Sequence, residues 1–128
     1  MQPLVRILYA EDEPDIQQLV SLVLETLGGF TLKTCSSGSE AVNEVESFAP
    51  QLLLFDVMMP DLDGPSALKQ IRAMERYKAI PAVFMTAKVQ LDEVQGYLDM
   101  GAVSVIAKPF DPMTLAEQIQ KAWDKVGG

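Results

Sequence analysis

The chain has 128 residues, 48% of them hydrophobic and 22% charged, a length and balance that predict one globular domain over residues 1–128 and exclude a disordered or fibrous chain. Ten basic against 18 acidic residues leave a net charge of −8, which argues against direct binding of nucleic acid or of an anionic membrane, because an acidic surface repels phosphate. With no histidine and a single cysteine, Cys35, the chain can build neither Ser–His–Asp nor Cys–His catalysis, no histidine zinc site and no intrachain disulfide, and its lone thiol fits a reducing, cytoplasmic setting.

Short apolar runs alternate with helical patterns from end to end. Leu4 to Tyr9 reads as a strand; the run to Ala10 is short, contains Arg6 and leads into acids, so it does not read as a signal peptide. No uncharged apolar run reaches the roughly 18 residues that cross a membrane. Ile16, Leu19, Val20, Val23, Leu24 and Leu27 fall at helical spacing, and Gly28-Gly29 stops that helix. Phe30 to Cys35 predicts a second strand. Ala41, Val42, Val45 and Phe48 mark a second helix ending near Pro50. Gln51 to Phe55 is almost wholly apolar, as a strand buried on both faces must be. Gly64-Pro65 opens a third helix carrying Leu68, Ile71 and Met74, with proline in a tolerated first-turn position. Glu75 to Lys78 reads as a solvated connection. Ala82 to Met85 is a fourth strand, Leu91, Val94 and Leu98 mark a weaker fourth helix, and Val103 to Ala107 is a fifth strand. Asp111-Pro112 is expected to cap a last helix carrying Leu115, Ile119, Ala122, Trp123 and Val126. Cys35 and Trp123 read as packing residues, the tryptophan with an interface role as its alternative.

Five strands separated by helices must pair in parallel, with right-handed crossovers that place helices on both faces. A doubly wound, five-stranded α/β domain follows, and in such sheets function gathers beyond the carboxyl ends of the strands. Glu11, Asp12 and Glu13 follow the first strand, Asp56 the third, Thr86 the fourth, and Lys108-Pro109 the fifth. One shared polarity brings these groups to one rim. Three neighbouring carboxylates each raise the proton affinity of the others. A hard divalent cation such as Mg²⁺, which takes oxygen ligands, removes that conflict. A lysine ammonium and a threonine hydroxyl beside them complete a site for a phosphoryl group, whose transfer is mostly positioning and charge neutralisation. Taken singly, each group also reads as a solvated loop acid, a turn threonine or punctuation before a helix. Asp56 resists that reading, because a carboxylate ending a buried strand is costly without a partner.

The chain resembles the receiver domain of two-component response regulators. The residues that carry the resemblance are Glu11-Asp12, the run Asp56-Val57-Met58-Met59-Pro60 followed by Asp63-Gly64, Thr86-Ala87, Gly101-Ala102 and Lys108-Pro109-Phe110. It implies a flavodoxin-like (βα)5 fold and Asp56 as phosphoacceptor. It implies Mg²⁺ held by Asp12, Asp56 and the Met58 backbone carbonyl, with Glu11 acting indirectly through water. Thr86 and Lys108 are implied to bond phosphoryl oxygens, small Ala87 to leave the acceptor accessible, and the Lys108-Pro109 bond to be cis. The implied phosphoryl donor is a sensor histidine kinase or a histidine phosphotransfer protein. The implied output is a downstream protein or a covalently linked output domain, with dimerisation through the face of helix four, strand five and helix five.

Two positions depart from the family pattern. Val105 stands three residues before Lys108, where the family usually carries a reorienting aromatic ring, so the usual relay to the fourth helix is expected to be weakened or rerouted. Met58 and Lys88, two residues after Asp56 and Thr86, occupy positions that govern water access in the family, and an apolar Met58 predicts slow self-hydrolysis. Two other readings remain at this level. One is a phosphate-ester hydrolase with an aspartyl-phosphate intermediate, against which Met58 replaces the usual second aspartate. The other is a degenerate receiver acting only as an interaction module, against which every acceptor-site residue is present.

Overall fold

Five apolar runs pair as β1 (Arg6–Ala10), β2 (Thr31–Cys35), β3 (Leu52–Asp56), β4 (Ala82–Thr86) and β5 (Ser104–Ala107). All pairings are parallel and the order across the sheet is β2-β1-β3-β4-β5. The computed structural model describes residues 2–127; Met1 and Gly128, the ends of the expected 1–128 domain, lie outside the described residues. Intervening helices are α1 (Pro14–Thr26), α2 (Gly38–Phe48), α3 (Gly64–Arg72), α4 (Leu91–Asp99) and α5 (Leu115–Lys125). The doubly wound flavodoxin-like architecture is as the alternation of elements predicts.

The strand residues alternate between two cores. Ile7, Tyr9, Leu52, Leu54, Val83 and Met85 pack with Val20, Leu24, Leu115 and Ile119 on the α1/α5 face. Leu8, Ala10, Leu53, Phe55, Ala82 and Phe84 pack with Ala41, Val45, Leu68 and Ile71 on the α2/α3 face. Every residue of β3 and β4 is buried, which explains why both are apolar up to their last residues, Asp56 and Thr86. Each buried Leu, Val, Phe or Met side chain there contributes about 1.5–3 kcal/mol. The edge strand β2 keeps Thr31, Lys33 and Thr34 because one side faces water.

Several boundaries differ from expectation for local reasons. Asp56 and Thr86 are the last residues of their strands rather than the first beyond them. Asp111 does not cap α5: its carboxylate accepts from the Met113 N–H at 2.9 Å in a turn, and the helix starts at Leu115. Leu27, Met74 and Val126 fall outside their helices. The segment Glu75–Tyr77 is a 3-10 turn, not a wholly solvated connection: Tyr77 is buried and its hydroxyl donates to the Val45 carbonyl at 3.2 Å. Cys35 is fully buried, and Trp123 is buried with its indole N–H donating to the Gln2 carbonyl at 3.0 Å.

Candidate functional site

β1 and β3 are adjacent, and their register sets Ala10 beside Phe55. The next residues along the chain, Glu11 and Asp56, therefore emerge side by side. Carboxylate oxygens of Glu11, Asp12 and Asp56 all lie within 4.8 Å of one another. Glu11 is fully buried and Asp56 is 5% exposed, whereas Asp12 is only partly covered. Backbone ties fix this corner. The Glu11 N–H donates to the Cys35 carbonyl at 3.0 Å, the Glu13 N–H donates to Glu11 Oε2 at 3.2 Å, and the Gln17 amide donates to the Glu11 carbonyl.

Lys108 leaves the end of β5 and reaches across β4. Its Nζ donates to Glu11 Oε1 at 2.6 Å and lies 3.1 Å from Asp56 Oδ1. The backbone guides it: the Lys108 N–H donates to the Thr86 carbonyl at 2.9 Å, and the Lys108–Pro109 peptide is cis. Burial raises the proton affinity of Asp56; Lys108 opposes this, Asp12 adds to it, and the net direction is upward. Burial likewise raises Glu11 above the usual carboxylate range despite its bond to Lys108. For Lys108 burial works downward, but Glu11 and Asp56 outweigh it and hold the ammonium charged more firmly than usual. One ammonium against three carboxylates leaves negative charge in excess. The donor set is hard oxygen only, so it fits a divalent cation of the Mg²⁺ type and not a soft metal.

Thr86 is buried, and its Oγ1 accepts from the Lys88 N–H at 3.0 Å, which leaves the hydroxyl proton free to donate elsewhere. Ala87 is exposed beside it. Met58 points outward, 62% exposed, so its side chain offers the pocket no polar group. The loop after Asp56 closes tightly. Asp63 caps α3 by accepting from the Ser66 N–H at 2.7 Å, and a Cβ on Gly64 would sit 2.5 Å from the Asp56 carbonyl oxygen. Glycine is the residue that permits that approach. Val105 is half-buried and pairs in register with Phe84.

All the predicted site residues thus converge on one rim except the Met58 side chain, which points to solvent, and Val105, which lies on β5 three residues before Lys108. Sequence reading missed the direct Glu11–Lys108 contact and Gln17. It also missed Tyr9, whose hydroxyl is buried with no partner among the described residues. Burial first, then the charges of Glu11 and Asp56, push that phenol above its usual range. A tyrosine inside a strand carries no motif, so its own sequence offered no signal.

Comparison with known proteins agrees with this geometry. Residues 7–120 match the family model described as the response regulator receiver domain. The chain is 34% identical over 109 residues to the response regulator Rre1 of Synechocystis sp., covering 84% of this chain and 47% of that protein. It is 35% identical over 116 residues to the alkaline phosphatase synthesis transcriptional regulatory protein PhoP of Bacillus subtilis, covering 90% of this chain and 47% of that protein. The chain thus spans about half the length of these curated relatives. Among solved structures, the chemotaxis response regulator CheY4 of Vibrio cholerae superposes with a TM-score of 0.86 at 28% identity, covering 93% of this chain and 98% of that one.

Proposed function

Since the chain belongs to the response regulator receiver domain family, we propose that it is a phosphorylation-controlled signalling switch with Asp56 as its acceptor. The observation that carries this reading is the pairing of Lys108 with both Glu11 and Asp56, at 2.6 and 3.1 Å, in a pocket where three carboxylates meet. In this reading Asp12, Asp56 and the Met58 carbonyl hold Mg²⁺, with Glu11 acting through water. When bound, the ion neutralises carboxylate charge and that of the incoming phosphoryl oxygens. An Asp56 carboxylate oxygen forms the new bond to phosphorus while the phosphorus–nitrogen bond to a donor histidine breaks, the nitrogen keeping the electron pair. Lys108 then exchanges a carboxylate contact for a phosphoryl oxygen, and the free proton of Thr86 donates to another.

The donor is a sensor histidine kinase or a histidine phosphotransfer protein, consistent with a chain that contains no histidine of its own. The product is a charge change that alters a protein-binding surface, read by a downstream protein or a linked output domain, in the cytoplasm. Dimerisation through the α4-β5-α5 face belongs to the same proposal, as does the assignment of residues 1–128 to one receiver domain. No helix among the described residues is long and apolar enough to cross a membrane.

Incubation with acetyl phosphate and Mg²⁺, followed by intact mass, tests the reading. A gain of one phosphoryl group in the wild type and none in Asp56→Asn is expected. Equal gain in both, or no gain in the wild type, overturns it.

A further inference from the structure

α4 is held differently from the other helices. It contributes no buried residue, and Leu91 at its start is 89% exposed. Its far end is fixed from outside. Arg72 Nη2 donates to the Gly101 carbonyl at 3.1 Å and to the Ile80 carbonyl at 2.8 Å. Gly101 has φ +103, and a Cβ there would meet the Arg72 guanidinium at 2.2 Å, so the clamp requires glycine. Between the free end and the clamped end, one side chain among the described residues ties the helix to the α2/α3 core. That side chain is Tyr97, whose ring meets Phe84 edge-on, with centroids 5.7 Å apart and planes at 77°.

Phe84 lies on β4 two residues before Thr86, and it is the register partner of Val105. The position where an aromatic ring is wanting on β5 therefore borders a ring on β4, and that ring is met by a third from α4. Thr86 also bonds the backbone of Lys88, at the start of the segment that leads to α4. A shift of Thr86 toward a phosphoryl oxygen pulls on the end of β4 next to Phe84. Edge-to-face rings are directional contacts, so Tyr97 must follow Phe84 or lose the contact. A helix clamped at one end and free at the other turns that displacement into a tilt.

Building on the assignment of Asp56 as acceptor, we propose that the Phe84–Tyr97 ring pair transmits the change of state from the acceptor pocket to α4, in the role that a β5 aromatic at position 105 cannot fill here. Tyr97 is a positioning residue and takes no part in the chemistry at Asp56.

Wild type, Tyr97→Leu, Tyr97→Phe and Phe84→Leu are treated with acetyl phosphate and Mg²⁺. Phosphorylation is read by intact mass, and α4 by the amide NMR shifts of Leu91, Val94 and Leu98. All four proteins are expected to gain the phosphoryl group, with like shifts at Ala87 and Lys108. The α4 shifts are expected to fall by at least half in Tyr97→Leu and Phe84→Leu, and to return in Tyr97→Phe, which keeps the edge-on ring. Leucine keeps the apolar bulk, and two variants on opposite sides of the contact guard against a folding defect in either. Phosphorylated Tyr97→Leu and Phe84→Leu with α4 shifts equal to wild type overturn the relay while leaving the acceptor assignment intact. A wild type that gains no phosphoryl group removes the acceptor assignment, and the relay with it.

Discussion

Replacing Asp56 by asparagine is expected to stabilise the fold when no divalent ion is present. The Asp56 carboxylate lies within 4.8 Å of both Glu11 and Asp12. At an effective dielectric of about 20, each contact costs at least about 3.5 kcal/mol. The Lys108 contact at 3.1 Å returns about 5 kcal/mol on the same scale. Two repulsions thus outweigh one attraction by roughly 2 kcal/mol, and burial of the charge acts in the same direction. The raised proton affinity of Asp56, which owes most to burial, has the same sign. A carboxyl that holds its proton more firmly when folded contributes stability at low pH, and that stability is lost as pH rises through its folded-state value. Asparagine keeps the neutral form at pH 7. Thermal unfolding in EDTA is the assay, and 2 kcal/mol corresponds to a midpoint about 8 °C higher for a domain of this size. Adding Mg²⁺ is expected to raise the wild type by about 2.7 kcal/mol at a hundredfold excess over Kd and to move Asp56→Asn far less. An Asp56→Asn midpoint below wild type in EDTA would refute the claim that the carboxylate cluster is internally repulsive.

Two further outcomes follow from single buried or exposed side chains. Burial, then the charge of Glu40, pushes the Cys35 thiol from an ordinary 9.0 up to about 12. The folded chain therefore loses stability as pH rises above 9, by about 1.4 kcal/mol at pH 10. Urea unfolding at pH 7 and pH 10 checks this, and Cys35→Ala is expected to reduce the difference by that amount; an unchanged difference counts against the buried-thiol account. The Met58 side chain is exposed and apolar, two residues after the proposed acceptor Asp56, so it cannot orient a water for attack on phosphorus. Met58→Asn is expected to shorten the phosphoryl lifetime severalfold, measured by loss of the added mass after removal of acetyl phosphate, and an equal or longer lifetime contradicts the mechanism.

Sheet and site were legible to different depths. The two-faced burial of β3 and β4 was written in Leu52–Phe55 and Ala82–Met85, because a strand covered on both sides admits no polar alternation. The convergence of Glu11, Asp12, Asp56, Thr86 and Lys108 followed from strand polarity alone. What polarity could not supply was distance. Nothing in the order of residues says that Lys108 meets Glu11 as closely as it meets Asp56, since that depends on how β5 twists across β4. The capping of α5 misled for a similar reason: Asp111 has the side chain of a cap, but Pro112 and Met113 close a turn around it before the helix starts.

Val105, standing where the family usually carries an aromatic, shows why motif reading stops short of mechanism. Along the chain, Val105 is a missing ring. Across the sheet, it adjoins Phe84, which receives a ring from Tyr97 on another element thirteen residues away in sequence. A function that needs an aromatic contact near β4 can recruit it from any element that packs there, because packing is set by shape and reach and not by position in a motif. The residue that a family pattern marks as absent is therefore the wrong unit of comparison. The proper one is the contact, and its presence or absence is decided only once α4 has been laid against the sheet.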